Sequence, residues 1–222
     1  MNGGILAKAL PVVRKDKAEI KEFNLGADVF ETQTLFAANG GKTPFASAGI
    51  CADGVVRTLA TRAPAFDDFS PFVGKAHALT LGHVVAETTN VPDNFFIAGD
   101  ERARWAYLKG AKSFERVSAG YAYKYSEGAM SFPDRLDKPS RTIITSEGGA
   151  CASRTSHAVD HGDGRVRRLV PEELEALTGF PRGFTAINGV TDKKRAFLMG
   201  NSLVTGVVRL IGEALATAHK NA

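Results

Sequence analysis

Arginine and lysine side chains carry the most suggestive chemistry in this chain. A guanidinium or an ammonium group binds phosphates and other anions through charge and several N–H donors. Residues 101–170 hold 13 Lys and Arg against 8 Asp and Glu. The segments before and after carry net charges of −2 and +1. The basic excess therefore lies in the middle, where it suits a polyanion-binding face; a solvated surface would give the same count. Other reactive groups have less pattern. Cys51 and Cys151 show neither metal-ligand spacing nor an obvious pairing. Among the five histidines only His157 and His161 stand close, four apart in a Gly/Asp-rich stretch, and no metal site is expected. All five read as surface or loop residues. Asn201 and Ser202 offer an amide and a hydroxyl, groups that can bind a ligand or cap a helix N-terminus.

The elements that would hold these groups follow from pattern. At 222 residues, with 44% hydrophobic and 23% charged content, the chain fits one large or two small globular domains. Ile20–Phe30 could begin a helix, weakened by Gly26. Turn signals stand at Asn39–Lys42, at Ala52-Asp53-Gly54 and at Asn90–Asn94. A short helix is expected near LTLGHVVAET, and another over residues 101–110 with Gly110 as its stop. Tyr121–Tyr125 and Arg141–Thr145 read as strands, the latter followed by the flexible pair Gly148-Gly149. Pro171 suits a first helical position with Glu172 and Glu173 behind it. An amphipathic helix is expected from Ser202 to Ala218; its apolar face needs a partner surface. The N-terminus lacks a secretory h-region, and no stretch approaches the ~20 apolar residues of a membrane span. With few cysteines, a reduced, cytoplasmic location is the simpler expectation.

Two ordered blocks carry a family resemblance. The first is R-x-R-x-L-x-P-E-E-x-x-x-L-x-G-F-P, from Arg165 to Pro181. The second is G-N-S-x-V-x-x-V-V-x-x-I, from Gly200 to Ile211. They resemble the last two motifs of DNA (cytosine-5) methyltransferases. Upstream, LKGAKSFERV and YKYSEGAMSFPDRLDKPSRTIITSEGG are similar to that family's target-recognition region, and the likeness extends over about residues 45–215. The resemblance implies an α+β chain: a strand- and loop-rich DNA target-recognition domain, then C-terminal helices that would complete a Rossmann-like S-adenosylmethionine-dependent methyltransferase domain. By motif order the segments are a leader or interdomain segment over 1–42, a recognition domain over 43–160, and closing motifs with their helix over 161–222.

The same resemblance assigns residues. Asn201 and Ser202 match the motif that helps close the S-adenosylmethionine pocket. Lys112, Glu115 and Arg116 fall in what looks like a first base-reading loop. There an arginine can donate twice to guanine O6 and N7; a phosphate contact or a surface salt bridge stays open for Arg116. Thr142 matches a recognition-region threonine that can hold a phosphate. Ser146, Glu147, Gly148 and Gly149 look like a second loop, where Glu147 could accept from a cytosine amino group. Arg141 and Arg154 are candidate phosphate contacts. Arg165, Arg167, Pro171, Glu172, Gly179, Phe180 and Pro181 are expected to organise the recognition domain rather than touch DNA.

Several family motifs are missing from these 222 residues: the F-x-G-x-G loop, the nucleophilic Pro-Cys pair, Glu-Asn-Val and Q-x-R-x-R. No catalytic residue is therefore assigned, and Cys51 and Cys151 are expected to be buried or incidental thiols. The expectation is a recognition subunit of a split modification methylase. It would share S-adenosylmethionine with a catalytic subunit in a heterodimer, bind double-stranded DNA, avoid membranes and be inactive alone. The alternative is a non-enzymatic DNA-binding remnant or recruited recognition module.

Overall fold

The structure is a computed structural model. It describes residues 4–26, 28, 30–31, 34, 46–63, 80–118 and 120–220. The turn expected at Asn39–Lys42, and His77, lie outside them. The described chain groups into two compact units, residues 1–75 with 207–222 and residues 76–206. This grouping is by spatial contact, whereas the segments 1–42, 43–160 and 161–222 follow motif order.

In the first unit, α1 (Ile5–Ala9) precedes a set of short antiparallel strands. β1 (Val13–Arg14) pairs with β5 (Thr61–Arg62). β2 (Lys21–Asn24), β4 (Val55–Leu59) and β3 (Ala48–Ala52) form a three-stranded sheet in the order β2-β4-β3. The turn signal at Ala52-Asp53-Gly54 closes the β3–β4 hairpin, with Asp53 and Gly54 both at positive φ, as a tight hairpin turn demands. The helix considered from Ile20 is instead strand β2. Glu22 sits opposite Arg57 on β4, and their ion pair at 2.6 Å supplies a cross-strand contact that a weak local helix propensity cannot match.

The second unit is built around two buried clusters. α2 (Leu81–Ala86) starts where expected and is capped by Thr80, whose hydroxyl accepts from the His83 amide. A single 3-10 turn at Asp93–Phe95 follows Pro92. α3 (Arg102–Lys109) ends at Gly110, as read from sequence, and inserts Trp105 fully into the interior. β6 (Lys112–Ser118) and β7 (Tyr121–Glu127) form a seven-residue hairpin. β8 (Ala158–Asp160) and β9 (Val166–Arg168) form a short ribbon. α4 (Pro171–Leu177) and α5 (Asp192–Asn201) complete this unit, and α6 (Thr205–Lys220), grouped from Val207 onward with the first unit, closes the chain.

One core cluster joins Leu81, Val159, Leu169, Leu174, Ala196 and Met199, drawing on α2, the ribbon, α4 and α5. The other joins Trp105, Ala158 and Val166, with Phe132 stacked on the tryptophan. Burying such side chains stabilises the unit by roughly 1.5–3 kcal/mol each.

Arg141–Thr145 is not a strand. Arg141 turns to Asp134, and the backbone at Ile144–Thr145 lies against α5, so a helix takes the place of a partner strand. α5 itself was not anticipated. Its buried residues are Arg195, Ala196 and Met199, so a charged side chain breaks the apolar pattern that marks a helix face. Among the described residues the segment Asp192–Lys220 is long and apolar enough to cross a membrane by length and composition alone. The helix is interrupted at Ser202–Val204, and Ala196 and Met199 belong to the core cluster.

Candidate functional site

The two closing blocks meet at the ends of three helices. In the first block, Pro171 begins α4 and Glu173 bends back so that its carboxylate accepts from the Val170 amide at 2.9 Å. The same carboxylate takes a two-pronged contact from Arg167, at 2.7 and 2.8 Å, with both side chains essentially excluded from solvent. Gly179 follows α4 at φ +82°. A Cβ there would run into the Thr205 hydroxyl, which donates to the Gly179 carbonyl at 3.0 Å. The Thr205 amide donates to the Thr178 carbonyl, also at 3.0 Å. The first residue of α6 is thereby tied to the end of α4. Phe180 packs on the core cluster and on Phe184, Pro181 is exposed, and Glu172 pairs with Arg195 at 2.7 Å. Arg165 is exposed, pairs with Asp163 and lies over the Phe96 ring. Arg167, Glu173, Gly179 and Phe180 of this block thus make contacts within the unit.

In the second block, Asn201 is the last residue of α5 and Ser202 its C-cap. The helix N-cap considered from sequence is thus corrected: the pair closes α5 rather than opening α6. Ser202 Oγ donates to the Met199 carbonyl at 2.8 Å and Asn201 Nδ2 to the Phe197 carbonyl at 3.0 Å. Gly200 explains the glycine before them. A Cβ on it would overlap the backbone of Ile144 and Thr145.

The segment expected to read DNA is pressed along the same helix. A Cβ on Gly148 would come within 2.8 Å of the Ala196 Cβ and 2.9 Å of Lys193 Cα. The glycine is required by helix packing, before any approach to a groove. Gly149 forms a turn with Ser146, and its carbonyl accepts from Arg168. Thr142 and Ser146 are exposed. Glu147 is buried: one carboxylate oxygen accepts from the His157 amide at 2.6 Å and faces His157 Nδ1 at 3.0 Å. His157, read from sequence as a surface residue, is fully buried against it.

Arg141 and Arg154 are likewise engaged. Arg141 pairs with Asp134 at 2.8 Å and donates to the Thr155 and Ser156 carbonyls. Asp134 also accepts from the Ala158 amide at 2.8 Å and meets the buried Lys109 at 3.5 Å. Burial acts to raise the Asp134 carboxyl, but the hydrogen bonds from Arg141 and Ala158 and the Lys109 charge outweigh it and hold it below the usual range. Burial in turn pushes Lys109 down. Arg154 donates to the carbonyls of Leu108 and Gly110 at 2.9 Å, reaches that of Gly128, and pairs with Glu127 at 3.3 Å.

Lys112, Glu115 and Arg116 are not in a loop. They belong to β6, because Lys112–Ser118 pairs in full register with Tyr121–Glu127. The Lys112 ammonium sits over the Tyr107 ring at 4.6 Å. The Arg116 guanidinium lies 4.9 Å from Phe114 and 4.2 Å from Tyr125. Glu115 is exposed opposite Lys124.

Sequence reasoning missed the buried polar supports Lys109, Asp134, His157, Arg168, Glu175 and Arg195. Glu175 accepts from the Thr185 amide and hydroxyl and the Gly183 amide, and pairs with Arg195 at 3.0 Å. Burial opposes ionisation there, yet Thr185, Arg195 and Gly183 together hold its carboxyl below the usual range. No spacing distinguishes such residues from a solvated charge. Among the described residues no group of three His, Cys, Asp or Glu could hold a metal ion, and both cysteines are free and exposed.

The chain belongs to the C-5 cytosine-specific DNA methylase family, whose pattern matches residues 86–217. It is 31% identical to the type II methyltransferase M.Sau3AI of Staphylococcus aureus over 216 residues, covering 96% of this chain and 47% of that protein. It is 28% identical to the type II methyltransferase M.MspI of Moraxella sp over 113 residues, covering 51% of this chain and 27% of that protein. The chain thus spans about half the length of the first relative and less of the second. Among solved structures it is similar to the S. pombe Dnmt2 methyltransferase, with 14% identity, 92% of this chain and 59% of that one covered, and a TM-score of 0.46.

Proposed function

We propose that this chain supplies the DNA-recognition part and one cofactor-closing wall of a DNA (cytosine-5) methyltransferase in a restriction–modification system. The enzyme would move a methyl group from S-adenosylmethionine to C5 of a cytosine flipped out of duplex DNA. The Pro-Cys nucleophile and Glu-Asn-Val segment, which these 222 residues lack, would come from a catalytic subunit, and the two chains would work as a heterodimer in the cytoplasm. The observation that carries the reading is the double seating of the 144–149 segment on α5, through Gly148 near its start and Gly200 at its end. One rigid helix thereby holds both the second recognition segment and Asn201-Ser202.

Asn201 and Ser202 fit the cofactor in part. Each already donates one hydrogen bond back into α5, so what remains is the second Asn201 N–H and acceptor capacity on the Asn201 carbonyl oxygen and the Ser202 hydroxyl. The acceptors suit the ammonium end of the methionine moiety, and S-adenosylmethionine would supply the methyl group. Ser146 on that segment and Thr142 just before it, both exposed, are the proposed DNA-backbone contacts, together with Lys112, Glu115 and Arg116 on the hairpin. Glu147, Arg141 and Arg154 act by holding these elements. Exposed Leu203, Val204, Val207, Val208 and Leu215 would be covered by the catalytic subunit rather than by a membrane.

Mixing decides the matter. The full chain is combined with a chain carrying F-x-G-x-G, Pro-Cys and Glu-Asn-Val, and tritiated methyl transfer to duplex DNA is followed. Transfer should appear only in the mixture, with both chains in one complex. Transfer by the 222-residue chain alone would overturn the split arrangement. DNA binding without transfer in any mixture would favour a recruited recognition module.

A further inference from the structure

Thirteen of the fifteen arginines donate to a carboxylate or carbonyl oxygen. Arg104 and Arg116 have no such acceptor among the described residues. Arg104 is exposed on α3 and has no ring contact among the described residues, whereas the Arg116 guanidinium sits over two rings. Alternation along paired strands places Lys112, Phe114 and Arg116 on one face of the hairpin, with Glu127, Tyr125 and Tyr123 opposite them. Phe114 and Tyr123 remain exposed on that face. Stacking fixes the plane of a guanidinium while leaving its N–H edge free, and a free planar fork of donors matches two adjacent acceptors.

The orientation of this face is itself determined. The Tyr125 hydroxyl donates to Glu127 at 2.9 Å, which raises the phenol above its ordinary range, chiefly through that hydrogen bond. Glu127 pairs with Arg154, and Arg154 bonds carbonyls at the end of α3 and at both roots of the hairpin.

We propose that Arg116 reads a guanine edge in the DNA target, and that Tyr125, Glu127 and Arg154 form a relay that positions it. The inference rests on the proposed DNA-recognition role and adds which side chain carries specificity and what aims it. The favoured acceptors are O6 and N7 of guanine, because they form the adjacent pair that a planar fork fits.

The test is selection of bound sites from a pool of randomised duplex DNA by the full chain and its variants. Wild type should select a site containing guanine. Arg116→Ala and Arg116→Lys should each reduce preference for guanine at one position by about tenfold or more, leaving other positions intact. Tyr125→Phe, which keeps the ring and removes the hydroxyl, should weaken that same position with an unchanged melting temperature. So should Glu127→Gln, which breaks the ion pair. A wild-type chain that binds no DNA overturns the recognition role itself. A wild-type chain that selects a site which Arg116→Ala also selects with equal stringency overturns only the present inference. So does a uniform loss across all sequences with a shallower salt dependence, the mark of a phosphate contact. If Arg116→Ala relaxes one position while Tyr125→Phe and Glu127→Gln leave it unchanged, the relay is excluded.

Discussion

Arg167 and Arg116 are one residue type put to opposite uses. Arg167 is buried, and both prongs of its guanidinium close on Glu173. Arg116 is exposed, is laid across Phe114 and Tyr125, and keeps its donors free of any acceptor among the described residues. The difference teaches how to read a basic segment. An excess of five positive charges over residues 101–170 suits a polyanion face and a solvated surface alike. Yet Arg141, Arg154, Arg167 and Arg168 within it are occupied by the protein itself. What remains for a ligand is set by pairing, not by count. Removing an interior arginine should cost stability, and removing the hairpin arginine should cost recognition.

The sharpest break of that contrast comes from Arg167→Ala. It leaves the buried Glu173 carboxyl without its partner, and such a loss costs about 3–5 kcal/mol. The midpoint of chemical denaturation should fall accordingly. A double variant replacing both Arg167 and Glu173 with apolar side chains should recover most of it, because the unpartnered buried carboxyl is the source of the penalty. If Arg167→Ala melts like wild type, the interior role is wrong.

Gly200→Ala probes the seating that joins the recognition segment to α5. The added methyl would overlap the backbone of Ile144 and Thr145, and backbone cannot rotate away as a side chain can. The expected loss is about 1–3 kcal/mol, the range for overpacking, measured as a lower denaturation midpoint. Gly148→Ala should act in the same direction through Ala196 and Lys193. Full stability in both would mean that the segment is not held by α5.

A third expectation concerns acid. The Asp134 and Glu175 carboxyls are held below their ordinary values of 3.8 and 4.5 by their hydrogen-bond donors and neighbouring cations, against the opposing effect of burial. A group whose folded pKa is depressed adds stability above its unfolded pKa, and that stability is lost as pH falls through the folded value. The chain should therefore keep its stability down to about pH 4.5 and lose it progressively below. Asp134→Asn should flatten part of that acid limb. An acid limb of unchanged depth in the variant would contradict the role given to Asp134.

These interior supports are also where the sequence was least legible. The α+β character, the helix stopped by Gly110, the β3–β4 turn and the start of α4 at Pro171 could be read from local signals. Each depends on a residue whose own backbone preference decides the outcome. Ile20–Phe30 and Arg141–Thr145 were misread because partners distant in sequence decide them: Arg57 on β4 for the first, α5 for the second. The second block pointed to Gly200 but not to why it mattered, and Gly148 read as a glycine for close approach to a DNA groove, since close packing against α5 leaves no trace in spacing. Glu147 had the right residue type for a base contact, but His157 occupies it. Arg116 was legible as a candidate, and the rings that order it were visible only once β6 and β7 were paired in register.

The smallest expected effect completes the comparison. Arg116→Ala removes two cation–ring contacts on an exposed face and no hydrogen bond among the described residues. Exposed cation–ring contacts contribute about 0.5–1 kcal/mol each at most. Surface substitutions away from caps, cores and buried networks usually stay within about 0.5 kcal/mol. The two contacts together bound the loss read by denaturation at about 2 kcal/mol, and solvent exposure should keep it below that, against about 3–5 kcal/mol for Arg167→Ala. A large stability loss from Arg116→Ala would make the stacked arginine a structural fastening of the hairpin, and its free donors would no longer argue for a ligand. A small one leaves them with no internal task, and the stacking then serves to hold the guanidinium ready for an acceptor outside the chain.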